Sequence, residues 1–479
     1  MRVAGIHLDV PGKNKLDPEP EEPIGLEYVL AAVQRAGHEV RLFIEWYGAG
    51  QLLDELVKYD PDVALLEVYS KDFPGTTSLA TRLKEWKRDL FVVVGGYHPT
   101  ALPHQTLAES GNSFDVAVIG EGEETIQEVL RVFEAGGNLD GVRGIAYWEN
   151  GTIRINPPRE LIPDLDSIPW PVREPRFYDL PKKGCLFYPE SSRLRYAPIV
   201  SSRGCTRYCY FCSSSNMWRR KPRFRSPTDV VREMNHLHRS YGINMFFIED
   251  LSINVEEVRL RTLCNEMEKY LDDGIYWSSC ANVGVSKGLL LKMKNARCVC
   301  LSYGVETVNP NVLKSQNKFQ NVNEIKRTLI ATADAGIMNL VFYMIGFENE
   351  NEDTIKESFN CLYGLPIHRL RLTIATPFPG SPWYDKIDKS TLDSDWSKYD
   401  TMHPVSASQH ISKRKLSTLR DELIKAYYYS KEYKRIVEQF LSKNMMFAKS
   451  FKEFYETIEF SETVIDTEVC QDQTNISLL

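Results

Sequence analysis

Short apolar runs alternate with amphipathic segments along the first 150 residues. The runs RVAGIHLDV, EVRLFI, DVALLEVYS, LFVVVGGYH and DVAVIG are rich in valine, isoleucine and leucine and end at turn residues, which predicts strands. The segments between them have helical periodicity. Because strands that alternate with helices form a parallel sheet covered on both faces, we expect a doubly wound α/β domain over residues 1–150. In such a sheet, ligands bind at the carboxyl ends of the strands.

A second alternating series covers residues 196–390. Ser226 and Pro227 are typical of the N-cap and first position of its first long helix. The series predicts a complete or partial β/α barrel with its site at the C-terminal ends of the strands. The proline-rich residues 151–195 predict an extended linker, and residues 391–479 a mostly helical C-terminal region. Six strands are predicted in the barrel: APIVSSRGC, MFFIEDLSI, IYWSSCANV, VCLSYGVET, LVFYMIGFE and RLRLTIATPFPG.

Two glycine loops follow predicted strands of the first domain. Gly95 and Gly96 end one strand, and Gly120 and Gly122 lie between the next strand and a helix. A residue without Cβ lets the backbone approach a flat or phosphorylated ligand, so both loops are candidates for cofactor contact. Acidic residues such as Glu123 in the first turn of the helix suit the helix dipole, and capping alone explains them.

Composition limits the partners and the setting. A net charge of −7 with 26% charged residues is typical of a globular protein without a large nucleic-acid interface. The most basic stretch, WRRKPRFR at residues 218–225, is interpreted as a solvated loop. No run approaches the ~20 apolar residues of a membrane span, and the N-terminus does not read as a signal peptide. We expect a cytoplasmic protein, where disulfides are uncommon and scattered cysteines such as Cys185, Cys280 and Cys470 are small buried side chains.

Three further cysteines lie close together, at Cys205, Cys209 and Cys212, after the first strand of the second series. A structural zinc site usually needs four ligands in two pairs, and no second pair or histidine lies at that spacing. Cys-x3-Cys-x2-Cys can instead bind three irons of a 4Fe–4S cluster, which leaves the fourth iron open to a small chelating ligand. The spacing therefore favours a catalytic iron–sulfur cluster.

The cysteine stretch resembles the signature of radical S-adenosylmethionine (SAM) enzymes, and the resemblance covers most of residues 1–390. In this family SAM occupies the open iron, and one-electron reduction of the cluster cleaves SAM to a 5′-deoxyadenosyl radical. Relatives often have an arginine in the stretch that reads SSCANVGVS here, so a neutral side chain would take its place more weakly. The resemblance implies SAM contacts at Phe211, Glu249, Asp250, Asn282 or Ser279, Glu306, and Gly346 with Glu350.

The stretches GGYHPT, GEGEET, DLDSIPWP and ATPFPGSPWYD are similar to those of the radical SAM subgroup with an N-terminal, Rossmann-like cobalamin-binding domain. The resemblance implies cobalamin contacts at Ser70, Gly95, Gly96, Gly120 and Glu121. Many cobalamin proteins ligate cobalt through an Asp-x-His-x-x-Gly stretch, which this chain lacks. The first domain is therefore expected either to hold cobalamin without a protein imidazole or to keep the fold without the cofactor.

The subgroup resemblance implies a methyltransferase that takes hydrogen from an unactivated carbon of a small, secondary-metabolite substrate and methylates it. The alternative is a non-methylating radical SAM enzyme that dehydrates, deoxygenates, rearranges, cyclises or epimerises its substrate; a non-catalytic iron–sulfur protein is more remote. Tyr208, Tyr210, Glu249 and His98 are candidates for a proton-handling side chain. A reducing partner such as flavodoxin or ferredoxin is implied, and neither nucleic acid nor membrane is expected.

The C-terminal region contains three neighbouring tyrosines, Tyr427, Tyr428 and Tyr429, on a predicted helix. We expect them to pack against the barrel. The final stretch DTEVCQDQTNISLL is interpreted as a polar tail.

Overall fold

The computed structural model describes residues 1–9, 22–46, 52–179, 195–408, 410–444, 447–449, 451–452 and 454. Cys185, Cys470 and the polar tail lie outside the described residues.

The first sheet contains seven strands: β1 Arg2–Asp9, β2 Glu39–Trp46, β3 Val63–Glu67, β4 Phe91–Gly95, β5 Val116–Val118, β6 Ile145–Glu149 and β7 Thr152–Ile155. Their order is β2-β1-β3-β4-β5-β6-β7. The pairs from β2 to β5 are parallel, which confirms the predicted doubly wound sheet. The antiparallel strands β6 and β7 are added at the edge of the sheet next to β5. The predicted end of the first domain, residue 150, therefore falls in the turn between these two strands.

Six helices accompany this sheet: α1 Ile24–Arg35, α2 Leu52–Tyr59, α3 Phe73–Trp86, α4 Tyr97–Ala101, α5 Pro103–Ala108 and α6 Glu123–Glu134. Helices α1 and α6 pack on one face with Val3 and Leu65 of the strands, whereas α2 and α3 pack on the other face with Ala4 and Leu66. Because successive strand residues point to opposite faces and both faces are buried, the inner strands β3, β4 and β5 are nearly continuous apolar runs.

The second sheet contains six strands: β8 Tyr196–Ile199, β11 Met245–Ile248, β12 Tyr276–Ala281, β13 Cys298–Glu306, β14 Met338–Ile345 and β15 Arg369–Ile374. All are parallel and neighbour one another in chain order, which confirms the predicted partial barrel. The short antiparallel strands β9 Ser202–Arg203 and β10 Arg223–Phe224 form a separate ribbon that encloses the cysteine loop.

The described residues of the second sheet and the C-terminal region contain these helices: α7 Ser214–Trp218, α8 Pro227–Tyr241, α9 Glu257–Tyr270, α10 Lys287–Asn295, α11 Pro310–Ser315, α12 Val322–Asp334, α13 Glu352–Asn360, α14 Pro382–Lys386, α15 Lys413–Tyr428 and α16 Lys431–Leu441. As predicted, Ser226 caps α8, where its side chain accepts from the N–H of Asp229. Within the described residues, no helix has both the length and the apolarity to cross a membrane.

Two of the three C-terminal tyrosines pack against the barrel. The hydroxyl of Tyr427 donates to the carbonyl of Ile367 at 2.8 Å. The hydroxyl of Tyr428 donates to the carbonyl of Leu370 and accepts from its N–H, both at 2.9 Å. Tyr429 follows the end of α15 and is 40% exposed, so the packing prediction is wrong for this residue.

The described part of residues 151–195 is packed, which corrects the prediction of an extended connector. Ile162 and its apolar neighbours form a small core with Tyr28 of α1. The buried guanidinium of Arg173 pairs with Glu22 at 3.3 Å and with Glu233 of α8 at 2.9 Å. Side chains from both domains therefore hold a segment that has no regular periodicity of its own.

Candidate functional site

The loop between β9 and β10 borders a cavity of about 160 Å³, which we call the cysteine cavity. Cys205, Cys209 and Cys212 all line it. Burial raises the pKa of the Cys209 thiol to about 11, while the ammonium group of Lys318, also on the wall, favours the thiolate. Within the described residues, no three His, Cys, Asp or Glu side chains are placed to hold a single metal ion. Three soft thiolate donors around one cavity instead fit an iron–sulfur cluster.

Three of the residues predicted to contact SAM also line the cysteine cavity: Phe211, Asn282 and Glu306. Asn282 lies just after β12, and its side-chain amide donates to the hydroxyl of Ser252 at 2.7 Å. Glu306 ends β13 and pairs with Lys318 at 3.1 Å. The barrel therefore brings an aromatic ring, an amide and a carboxylate next to the three thiols.

Of the other predicted SAM residues on the barrel, Glu249 lines the second cavity described below instead of the cysteine cavity, and Asp250 and Ser279 make hydrogen bonds within the barrel. Asp250 is buried, and its carboxylate accepts from the N–H and hydroxyl of Ser201 and from the N–H of Ser202, at 2.6–2.9 Å. The hydroxyl of Ser279 donates to the carbonyl of Ile248. These bonds tie neighbouring strand ends together, and neither side chain lines the cysteine cavity.

Gly346 and Glu350 likewise form a turn beside the cavity wall. The N–H of Gly346 donates to Glu350 at 2.9 Å, and a Cβ at Gly346 would lie 2.5 Å from Leu416 of α15. Burial raises the pKa of Glu350 to about 7. The tight fit to α15 explains the glycine without a SAM contact.

Strand alternation brings residues to the cysteine cavity that motif reasoning missed. Ser302 and Gly304 line it with Glu306 because every second residue of β13 points inward. The buried hydroxyl of Ser302 has no hydrogen-bond partner among the described residues. Cys280, interpreted from the sequence as a buried side chain, lines the same wall from β12. Because alternate strand residues share a face, counting back from Glu306 in steps of two would have identified Gly304 and Ser302 from the sequence.

A second cavity, of about 300 Å³, lies at the carboxyl ends of the first sheet, and we call it the glycine cavity. Gly95, Gly96, Gly120, Glu121 and other residues of both glycine loops line it. Gly96 has φ +106°, and a Cβ there would lie 3.0 Å from the carbonyl oxygen of Val68. Gly120 also has a positive φ, +84°, so each loop turns at a glycine beneath the cavity, and the backbone of the two loops offers a surface that fits a large flat cofactor.

Aromatic side chains from both domains line the glycine cavity and contact one another. The indole N–H of Trp218, on α7 beside the cysteine loop, donates to the hydroxyl of Tyr97 at 3.1 Å. The ring of Tyr97 stacks on that of Tyr69, with centroids 6.0 Å apart. No histidine is among the described residues that line this cavity, in agreement with the missing Asp-x-His-x-x-Gly stretch.

Ser70 and His98 lie behind the glycine cavity rather than in its wall. The Nδ1 atom of His98 is 3.0 Å from the hydroxyl of Ser70, and its ring packs between Phe73 and Trp396. Burial lowers the pKa of His98 to about 4. Ser70 therefore orients a neutral structural histidine instead of meeting the cavity.

Glu249 is the proton-handling candidate that lines one of the two cavities, since it borders the glycine cavity at the end of β11. Tyr208 is 44% exposed, with the guanidinium of Arg220 over its ring. Tyr210 is fixed by its N–H, which donates to the carbonyl of Gln316 at 2.9 Å, and its ring lies below Lys386. Neither tyrosine lines a cavity.

Buried ion pairs join the cysteine loop to the first domain. Glu121 accepts from Arg203 at 2.8 Å and from Arg223 at 2.8 Å, and Glu123 accepts from Arg203. Arg225 pairs with Glu233 of α8. The solvated-loop interpretation of residues 218–225 is wrong for Arg223 and Arg225, because their charges are matched in the interior.

Comparison with known proteins divides the chain in the same way. Residues 18–130 match the B12 binding domain model and residues 199–362 the Radical SAM superfamily model. An uncharacterized methyltransferase of Pyrococcus horikoshii is 29% identical over 411 residues, 85% of this chain and 86% of that protein. The anaerobic magnesium-protoporphyrin IX monomethyl ester cyclase of Cereibacter sphaeroides is 24% identical over 87% of this chain and 68% of its own. The radical S-adenosylmethionine methyltransferase TsrM of Kitasatospora setae, solved with cobalamin and a [4Fe-4S] cluster, has the same fold. The TM-score is 0.72 at 14% sequence identity, and the match covers 96% of this chain and 99% of that chain.

Proposed function

The chain is a radical SAM enzyme with an N-terminal B12-binding domain, whose cofactors are a 4Fe–4S cluster, SAM and cobalamin, and we propose that it methylates an unactivated carbon of a small-molecule substrate. The observation that carries the proposal is the shared wall of the two cavities. Leu251, just after β11, lines both the cysteine cavity and the glycine cavity. A substrate held at this wall lies within reach of both cofactor sites.

The described residues fit these groups. Cys205, Cys209 and Cys212 would hold the cluster, with SAM beside Phe211 and Asn282, and the glycine loops would hold cobalamin. When bound, the cluster with SAM supplies a radical that removes a hydrogen atom, and cobalamin supplies the methyl group.

The protein's own side chains position and shield this chemistry. Glu121 fixes both ends of the cysteine loop against the glycine cavity through Arg203 and Arg223. The aromatic side chains of Tyr97 and Trp218 keep water from the glycine cavity. Glu249, two residues before Leu251, is proposed to orient a hydrogen-bond donor of the substrate at the shared wall.

A non-methylating reaction is the second candidate, favoured by the similarity to the cyclase of Cereibacter sphaeroides over 87% of the chain. In that case the substrate radical would react further without receiving a methyl group. The cytoplasmic setting and the secondary-metabolite substrate remain predictions from the sequence.

The proposal is tested by the products of SAM. The protein is reconstituted without oxygen with iron, sulfide and hydroxocobalamin, then given SAM and reduced methyl viologen. We expect both 5′-deoxyadenosine and S-adenosylhomocysteine, the latter at least equal to the bound cobalamin. Formation of 5′-deoxyadenosine alone, in protein that retains cobalamin, would favour the non-methylating reaction.

A further inference from the structure

The cysteine loop and its base form the most one-sided charge pattern of the chain. Residues 203–225 contain seven arginine or lysine residues and no aspartate or glutamate, although the net charge of the whole chain is −7. Three of the seven are the buried partners of glutamates described above. The other four are exposed: Arg207, Arg219, Arg220 and Lys221.

One of these exposed cations lies at the cysteine cavity, and a second is linked to it through Tyr208. Arg207 is exposed and also lines that cavity, so the basic surface reaches its rim. The guanidinium of Arg220 lies 5.1 Å from the ring centroid of Tyr208. This contact places Arg220, near the end of the cysteine loop, beside Arg207 and Tyr208, near its start. The guanidinium of Arg219 forms an ion pair with the carboxylate of Glu160, at 3.6 Å, so Arg219 contributes less positive charge than Arg207, Arg220 and Lys221.

A second segment extends the same surface. The hydrogen bond from the N–H of Tyr210 to the carbonyl of Gln316 holds the end of α11 against the cysteine loop. This contact brings exposed Lys314 and Phe319, which is 73% exposed, next to it. We call the combined surface the basic face, formed by Arg207, Tyr208, Arg220, Lys221, Lys314 and Phe319.

We propose that the basic face is the docking site of a small acidic electron-transfer protein that carries a flavin or an iron–sulfur centre. The proposal rests on the proposed function, because the radical reaction consumes electrons at the cysteine cavity. With a flavin donor, the anionic hydroquinone loses one electron to the cluster and becomes the neutral semiquinone, so no proton is transferred.

The composition of the basic face suits this partner. Electron-transfer complexes have small interfaces that form and dissociate quickly, and opposite charges raise their association rates. Exposed aromatic and arginine side chains are enriched in protein interfaces, whereas a surface for phosphates alone does not need Phe319. On a chain of net negative charge, a local basic face also directs an acidic protein to the cavity that needs its electron.

The experiment compares charge reversals on the basic face with a matched reversal elsewhere. The variant is Arg220→Glu with Lys221→Glu, and the control is Lys425→Glu with Lys434→Glu, two exposed lysines of α15 and α16 with the same change in charge. Flavodoxin, kept reduced by its reductase and below saturation, is the electron donor, and initial 5′-deoxyadenosine formation is the readout. We expect about a tenfold lower rate for the variant at low ionic strength and the wild-type rate for the control. Lys314→Glu should lower the rate independently.

Reduced methyl viologen, a small cation, separates the docking site from the chemistry. With this donor the variant should cleave SAM at least as fast as the wild-type protein. If the variant also keeps the wild-type rate with flavodoxin, the docking proposal is overturned while the proposed function stands. If the wild-type protein with methyl viologen forms no 5′-deoxyadenosine, the proposed function fails and the docking proposal fails with it.

A nucleic acid is the competing occupant of a basic face. Fluorescence anisotropy with a labelled single-stranded oligonucleotide and with labelled flavodoxin measures both affinities at the same salt concentration. We expect flavodoxin to bind more tightly, with its dissociation constant raised about tenfold in the double variant. Tighter binding of the oligonucleotide, lost in the same variant, would overturn the proposal.

Discussion

Arg203 and Arg223 face each other across the β9–β10 ribbon at the two ends of the cysteine loop. Both guanidinium groups donate to the same carboxylate, that of Glu121 in the glycine cavity, and each lies 5.8 Å from the ring centroid of Trp218. Glu121 was predicted from family resemblance to contact cobalamin. Its position in the structure indicates that it holds the cysteine loop against the first domain.

Replacing Glu121 with glutamine should destabilise the protein by about 3 kcal/mol, because it leaves the guanidinium of Arg223 without a carboxylate and leaves Arg203 with Glu123 alone. Urea unfolding measures the loss, and faster trypsin cleavage after Arg219 and Arg220 reports loosening of the loop. Glu124→Gln, an exposed change three residues further on in the first turn of α6, should stay within about 0.5 kcal/mol of wild type. Equal unfolding midpoints for the two variants would contradict the assignment.

Replacing Cys205, Cys209 or Cys212 with alanine should remove most of the bound iron and sulfide and abolish 5′-deoxyadenosine formation, because each thiolate is predicted to hold one iron. Iron and acid-labile sulfide are measured after reconstitution. Cys361→Ala is the matched control, since this exposed cysteine lies far along the chain on the end of α13. Full iron content in any of the three variants would count against the cluster assignment.

Alanine at Gly96 should weaken binding of hydroxocobalamin at least tenfold, because φ +106° with ψ −164° costs about 1–3 kcal/mol for a residue with a Cβ. The added Cβ also meets the backbone of Val68. Spectrophotometric titration measures the affinity. Gly141→Ala, where a Cβ meets nothing within 4 Å, should bind as the wild-type protein does. Unchanged affinity of the Gly96 variant would place the cofactor elsewhere.

His98 should make the protein sensitive to mild acid. The pKa of His98 is about 4 in the folded protein, against 6.5 for an unperturbed histidine. Between these two pH values His98 is protonated in the unfolded chain but neutral in the folded chain. Neutral His98 therefore contributes about 3 kcal/mol to the free energy of unfolding. This contribution is complete above pH 6.5 and is lost as the pH falls towards 4. His98→Gln should flatten the dependence of unfolding free energy on pH in that window, whereas exposed His104→Gln should leave it unchanged. The same slope in both variants would contradict this account.

The fold could largely be predicted from the sequence because buried strands and amphipathic helices have distinct periods. The antiparallel strands β6 and β7 were missed, since β7 is exposed at most positions and lacks an apolar run. The basic stretch was misinterpreted for a different reason. Arg223 is paired with Glu121, 102 residues away, which the local sequence cannot indicate, whereas Arg225 has a partner at i+4, Asp229, that helical spacing could have indicated.

The residues of the site could be predicted where they belong to a sequence motif. They were harder to predict where they lie at the end of a strand. The three cysteines and Phe211 follow from spacing and resemblance, and all line one cavity. Asp250 lies next to Glu249 at the same strand end, yet the two side chains have different surroundings, because successive residues point in opposite directions. Only the three-dimensional structure decides which of two neighbouring acids faces a cavity.

Leu251 lines both the cysteine cavity and the glycine cavity, so the two cavities meet at this side chain. In the proposed methylation, a substrate resting against Leu251 would not have to travel, or present a second atom, between the two halves of the reaction. The same carbon would lose its hydrogen on one side and gain its methyl group from the other. The bulk of residue 251 would then decide the width of the molecule that fits, which makes this one aliphatic position a natural point at which related enzymes could come to accept different substrates.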